Sequence, residues 1–286
     1  MIDLKRDSKT GELKKATGLN SHKWRCYKPG QKEDFPISRS RFEDFTKCPK
    51  CFYIRLVKCL KEPDGPPFKL NELTDTLLKK EFDDCRKKQK PHRLLVKEKL
   101  KHIVPYDAGS KIIEDSKKNK KKWEIIDVWR DAQHKGIKSR FKDTNIILQG
   151  GIDDIWFDTK KKELIIVDYK SQASKDEVSQ NMYFKKPYRK SYQTQLDFYA
   201  YVMKGMELEF PISKDSYLYV VNGLEVDEGF NGKISFSETL IRHEVNTDYL
   251  DDKIQEMVDT INSTNIPDSD ESCNNCAYTD RRNEIE

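Results

Sequence analysis

Two stretches decide the fold: NIILQGGIDDIWF (residues 145–157) and ELIIVDYKS (residues 163–171). Both are apolar and rich in β-branched residues, and the polar Thr159-Lys160-Lys161-Lys162 between them reads as a turn. The pattern predicts paired strands over 144–158 and 163–171. Side chains two apart on a strand share a face, so Asp168 and Lys170 point the same way, and Asp153 on the neighbouring strand reaches the same spot. A D-x-K triplet on its own reads as a cross-strand surface pair. Here it closes the continuous apolar run Ile165-Ile166-Val167, which suits a strand covered on both faces. Charge at the end of such a strand marks a site at the sheet's edge. Two carboxylates and an ammonium converging there make a divalent-metal site with a cation beside it. Asp154 is expected to face away from Asp153, and Asp158 to lie at the turn, so neither is taken as a ligand.

Outward from this hairpin the pattern alternates. A capping box, Ser40 to Glu43, predicts a short helix through about Lys47. An amphipathic helix is predicted over 70–88, a further helix over 110–133, and another over 191–206, where Leu196, Tyr199, Ala200 and Met203 recur at helical spacing. Strands are expected over 216–222 and 233–244, and a final amphipathic helix over 248–261. The order helix, hairpin, helix, strand predicts an α/β (α+β) fold with a mixed central sheet flanked by helices. Residues 1–37 read as a polar, loosely attached extension and 38–286 as a single domain.

The 286 residues suffice for one good core, and with 36% hydrophobic and 36% charged residues its interior is modest. No run approaches the roughly 20 apolar residues of a membrane span, and MIDLKRDSKTGELKK at the start lacks a secretory h-region, so a cytoplasmic protein is expected. The net charge of +5 is clustered in 87–93 (KKQKPHR), 117–122 (KKNKKK) and 185–190 (KKPYRK). With Trp123, Tyr183 and Tyr188 nearby, these clusters suit phosphate contact and base stacking. Residues 185–190 count for most, since they lie between the acidic strand and the next helix. No phosphate-loop motif is present, so any helicase or recombination motor would be a partner protein. The five histidines show no paired metal spacing. The seven cysteines include two C-x-x-C pairs, Cys48/Cys51 and Cys273/Cys276. Together these can close one thiolate site across a long loop. Disulfides are not expected in a reducing compartment.

Taken together, these features resemble the PD-(D/E)XK nuclease superfamily, and within it the RecB-like branch that includes CRISPR-adaptation exonucleases. Gly150 and Asp153 match its G-x-x-D motif, Asp168 and Lys170 its D-x-K, Gln195 and Tyr199 its Q-x-x-x-Y helix, and Cys48-Pro49 with Phe52-Tyr53 its CP-x-x-F-Y segment. The resemblance runs from about Ser38 to Cys276. It implies a restriction-endonuclease-like core and magnesium- or manganese-dependent hydrolysis of single- or double-stranded DNA, in repair, recombination or CRISPR adaptation. Asp153, Asp168 and the backbone carbonyl of Tyr169 would hold the metal. Lys170 would orient or deprotonate the attacking water or offset transition-state charge, and Gln195 would lie near the metal or the DNA.

Members of the branch usually carry a further ligand, a histidine in a G-x-x-x-H setting. Here Asn71 and Asp75 stand at those places, and a carboxylate suits magnesium at least as well. Glu81 is the rival ligand, about 240° round the helix from Asp75. Some members also hold a four-iron four-sulfur cluster through one N-terminal and three C-terminal cysteines. Cys48, Cys273 and Cys276 match three of those positions, but no third C-terminal cysteine follows, which leaves Cys51 as a fourth ligand to an iron–sulfur cluster or to zinc. A catalytically inactive DNA- or partner-binding module on the same fold is the alternative reading.

Overall fold

A computed structural model describes residues 4–63, 65, 68–114, 119–176, 178–227 and 229–286; Lys117 and Lys118 of the lysine run lie outside the described residues. In chain order its elements are β1 (Phe35–Ser38), α1 (Arg39–Lys47), α2 (Pro49–Leu56), α3 (Lys69–Lys88), α4 (Arg93–Lys97), β2 (Ile103–Pro105), β3 (Ser110–Glu114), β4 (Lys120–Glu124) and α5 (Ile125–Arg130). These are followed by β5 (Ile137–Arg140), β6 (Ile146–Gly150), β7 (Asp154–Asp158), β8 (Glu163–Ala173), α6 (Gln180–Tyr183), α7 (Lys190–Lys204), β9 (Asp215–Gly223), β10 (Phe236–Glu244), α8 (Leu250–Asn262) and α9 (Asn274–Ile285). The chain divides into two compact units: Met1–Pro67 with Asp143–Ile146 and Asp251–Glu286, and Phe68–Lys142 with Ile147–Leu250.

The second unit is a mixed sheet flanked by helices, in the strand order β10-β9-β8-β7-β2. Its centre is β8, antiparallel to β7 and parallel to β9. Antiparallel pairing with β7 ends at Asp154↔Val167, while pairing with β9 continues from Val167 to Ala173, so the far half of β8 has no β7 beside it. The expected continuous burial is present: Leu164 to Val167 are buried without a break. One face of the sheet (Trp156, Ile165, Val167, Tyr169, Tyr217, Tyr219) packs with Leu78 and Phe82 of α3 and Leu94 and Leu95 of α4. Phe82 stacks on Trp156 at 5.2 Å between ring centroids. The alternate residues of β8 turn toward α7, whose buried side includes Gln195, Leu196, Tyr199 and Met203.

In the first unit the buried residues include Phe42 and Phe45 of α1, Phe52, Tyr53 and Leu56 of α2, and Ile254, Met257 and Ile261 of α8. Tyr27 is buried and its hydroxyl donates to Asn262 Oδ1 at 2.9 Å, while Tyr53 donates to the Ser263 carbonyl at 2.9 Å.

Three local expectations are corrected. The run 144–158 is two strands, because the chain turns at Gly150-Gly151; β6 pairs with β5, and of the two only β7 pairs with β8. A Cβ on Gly150 would meet the Tyr199 ring at 2.6 Å, and one on Gly151 would meet Ala132 Cβ at 2.6 Å, so only glycine fits either place. The predicted helix over 110–133 is a β3–β4 hairpin followed by the short α5. Across the hairpin Lys111 stands opposite Trp123 and Lys122 opposite Ile112, and Trp123 lies under the Lys121 and Lys135 ammonium groups at 4.8 and 4.0 Å. Finally, α1 is capped by Ser38, whose hydroxyl accepts from the Arg41 N–H at 3.3 Å, while Glu43 pairs with Arg39 and Lys47 instead of closing a box with Ser40.

The expectation that no disulfide forms is also corrected. Cys26 and Cys59 are bonded, with Cα atoms 5.5 Å apart. Backbone bonds bring them together: Asn20 N–H donates to the Cys59 carbonyl and Tyr27 N–H to the Leu56 carbonyl, both at 2.8 Å, laying the early chain along the end of α2.

Candidate active site

Asp153, Asp168 and Lys170 lie in the second unit, at the end of β8 that β7 leaves uncovered. Asp168 and Lys170 share a face as their spacing requires, with Lys170 Nζ 2.5 Å from Asp168 Oδ2. Gln195 and Tyr199, one turn apart on α7, complete the set. Gln195 Nε2 donates to Asp168 Oδ1 at 2.6 Å and to the Tyr199 hydroxyl at 3.0 Å, and its Oε1 accepts from Lys170 at 3.1 Å. One amide thus holds the carboxylate and the ammonium in fixed relation. Lys170 also lies over the Tyr192 ring at 4.6 Å.

Asp153 sits in the bend between β6 and β7. Its Oδ2 accepts the N–H of Tyr169 at 2.8 Å, and its own carbonyl is held by Arg130 Nε at 2.9 Å. In an extended strand a residue's N–H and C=O face the same neighbour. The Tyr169 carbonyl therefore also faces the side on which Asp153 lies. Asp75, in the first half of α3, meets Lys79 one turn on: Lys79 Nζ is 2.7 Å from Asp75 Oδ2 and 3.2 Å from Asp153 Oδ1. Lys79 was not singled out in the sequence. An acid four residues before a lysine is an everyday helical pair, and only the return of Asp153 gives it a second partner. Glu81 points elsewhere, to His92 Nε2 at 3.0 Å and Arg93.

The charges act on one another. Burial would lower the Lys170 pKa, but Asp168 and then Asp153 carry it above its ordinary value, so the lysine is held protonated rather than poised low. Burial and the neighbouring Asp153 charge raise Asp75 against the pull of Lys79. Three carboxylates and two ammonium groups leave one formal negative charge, carried on hard oxygen donors that fit magnesium or manganese. Lys79 stands between Asp75 and Asp153, so the three aspartates are not gathered on one point. Among the described residues, the group of cysteines, histidines or carboxylates that is already gathered at ligand spacing is Cys48, Cys51, Cys273 and Cys276, within the first unit.

Asp154 and Asp158 hold structural posts. Asp154, fully buried on the α3 face, accepts from Arg86, from Tyr169 Oη at 2.9 Å and from Trp156 Nε1 at 3.3 Å. Asp158 Oδ1 caps the turn through the N–H groups of Lys160 and Lys161 at 2.9 and 3.0 Å. The 185–190 cluster is only partly available to a phosphate. Arg189 is buried over Tyr183 at 4.1 Å and bonded to Gln172, and Lys186 pairs with Asp176. Tyr183 is buried too, leaving Tyr188 exposed. A groove of about 970 Å³ opens beside the site, lined by Asn71, Thr74, Ser171, Lys175, Leu224 and Phe236 among others.

Beyond the end of β7, the central strand β8 of the mixed sheet thus sets Asp168 beside Lys170, with Asp153 bonded to the Tyr169 N–H between them. A family model described as the PD-(D/E)XK nuclease superfamily matches residues 36–281, and the chain belongs to that superfamily. Nucleases of this superfamily use divalent metal ions. No curated protein matches the chain. Among the described residues no helix is long and apolar enough to cross a membrane.

Proposed function

We propose that the protein is a magnesium- or manganese-dependent deoxyribonuclease of the RecB-like kind, acting as an exonuclease on single- or double-stranded DNA in repair, recombination or CRISPR adaptation. The observation that carries this reading is the Gln195 amide, which binds Asp168, Lys170 and Tyr199 at once. A surface ion pair needs no such buried support. The C-P-x-x-F-Y segment opening α2, with Cys48 as its cap, supports the RecB-like branch.

Asp153, Asp168 and the Tyr169 carbonyl are the groups to hold the ion, and Asp75 joins them if Lys79 withdraws. The ion they would hold would supply polarisation of the scissile phosphate and a lowered pKa for a water. Lys170, protonated and fixed by Gln195, offsets the charge that builds on the phosphate oxygens. The groove beside the site has apolar flanks at Leu70, Leu224, Ile234 and Phe236, suited to bases of a strand whose backbone crosses the carboxylates.

The test is cleavage of end-labelled single- and double-stranded DNA in magnesium and in manganese, with Asp168→Ala and Lys170→Ala alongside. We expect each variant to lose about 10²–10⁴-fold in rate. Cutting that survives unchanged in both variants would sink the assignment. Tight DNA binding without cutting in either metal would favour the non-catalytic module, for which the Lys79 bridge between two carboxylates is the supporting observation.

A further inference from the structure

The cysteine quartet belongs to the first unit and takes no part in the carboxylate chemistry. Cys48 caps α2 and accepts the Cys51 N–H at 3.5 Å; Cys273 caps α9, with Cys276 in its first turn. Each C-x-x-C pair therefore places its sulfurs at a helix N-terminus, where backbone N–H groups and the helix dipole favour thiolates. The two pairs meet directly. Sulfur separations are 3.8 Å for Cys48–Cys276, 3.6 Å for Cys51–Cys273 and 3.4 Å for Cys51–Cys276, and all four sulfurs lie within 4.8 Å of one another. Cys48 and Cys276 are buried, while Cys51 and Cys273 are partly exposed.

These distances discriminate between the two groups a thiolate quartet can hold. Four sulfurs about 2.3 Å from one tetrahedral zinc stand roughly 3.8 Å apart, since a tetrahedron's edge is about 1.6 times its centre-to-corner length. In a four-iron cluster each thiolate binds a different corner of a cube, and the four are pushed outward around the whole cluster. The quartet here is too tight for that, and the ligand pattern is two-plus-two, not the one-plus-three that the RecB-like resemblance implies. We propose that Cys48, Cys51, Cys273 and Cys276 hold a single zinc ion in a closed four-thiolate site. With all four positions filled by protein, the ion has no open place for water, so it is structural, tying the start of α2 to the start of α9.

The proposal is tested by purifying the full chain anaerobically and measuring zinc, iron and acid-labile sulfide per chain, together with the visible spectrum. We expect about one zinc per chain, no sulfide, and a colourless solution. Exchange into cobalt should give the intense bands of tetrahedral cobalt thiolate. Cys276→Ser should lose most of the zinc, and Cys85→Ser, in the other unit, should keep it. If Cys276→Ser does not fold, the cobalt spectrum of the unaltered chain decides. Iron with matching sulfide, disulfides among the four cysteines in the freshly isolated protein, or failure of the reduced chain to take up zinc or cobalt would each overturn the assignment. None of these readouts depends on DNA cleavage, so the outcome is independent of the nuclease reading.

Discussion

At the scale of single residues, fixed cations would contest the carboxylate oxygens of the proposed site with a metal. Lys79 already pairs with both Asp75 and Asp153, so it competes with any ion for those oxygens. Replacing it with methionine removes the competitor, and we expect the apparent affinity for manganese, read by calorimetric titration, to rise roughly three- to tenfold. Asp75→Asn should change it in the opposite direction. Equal affinity in Lys79→Met and the unaltered chain would show that the ammonium does not contest the site. Gln195→Leu strips the support from both Asp168 and Lys170 and should cost about 10–100-fold in cleavage rate with little loss of DNA binding. Tyr199→Phe removes only one partner of that amide, worth about 1 kcal/mol, and the rate should fall less than tenfold. Much of this was readable from spacing. Period-two geometry put Asp168 and Lys170 on one face, and an i,i+4 step put Gln195 beside Tyr199. Lys79 was not readable, because its second partner arrives from a segment far along the chain.

At the scale of elements, glycines and turns decide more than propensity does. The strands of the acidic hairpin were legible from composition, but the break between β6 and β7 was hidden within one apolar run. Gly150 marks it, because the Tyr199 ring occupies the space of a side chain there. Gly150→Ala should therefore lose roughly 1–3 kcal/mol and lower the melting temperature, and should slow cleavage by shifting Tyr199 from Gln195. An unchanged melting temperature and rate would show the contact to be yielding. The lysine-rich hairpin reads as a helix from its sequence because its few apolar residues fit either period. On the β9–β10 ladder, Glu238 accepts from Tyr219 Oη at 2.7 Å and pairs with Arg93, which holds its pKa below the ordinary 4.5 despite partial burial. A depressed carboxylate adds stability that is present above pH 4.5 and is lost as pH falls through the lower folded value. Glu238→Gln should thus be less stable than the unaltered chain at pH 7, and denaturant melts should show the gap closing in strong acid. A gap independent of pH would rule this linkage out.

At the scale of the whole molecule, a covalent tie acts within the first unit. The Cys26–Cys59 bond spans a separation of 33 residues. In the chain-entropy account a loop of that size is worth about 3–4 kcal/mol. The double variant Cys26→Ser/Cys59→Ser should be less stable by that margin and melt lower, and a reducing agent should lower the unaltered chain to match. An identical melt with and without reductant would mean the bond contributes nothing. Paired cysteines were visible in the sequence only where two residues separate them; the Cys26–Cys59 contact depends on the early chain folding back along α2, which no local pattern announces. The same unit has a temporal peculiarity. It is stitched from Met1–Pro67, Asp143–Ile146 and Asp251–Glu286, whereas its companion occupies nearly continuous sequence between Phe68 and Leu250. On a ribosome, every acidic and lysine side chain of the proposed site emerges before Cys273 and Cys276 are translated. A nascent polypeptide thus carries the strands of the proposed site while half of its thiol clasp is still unmade.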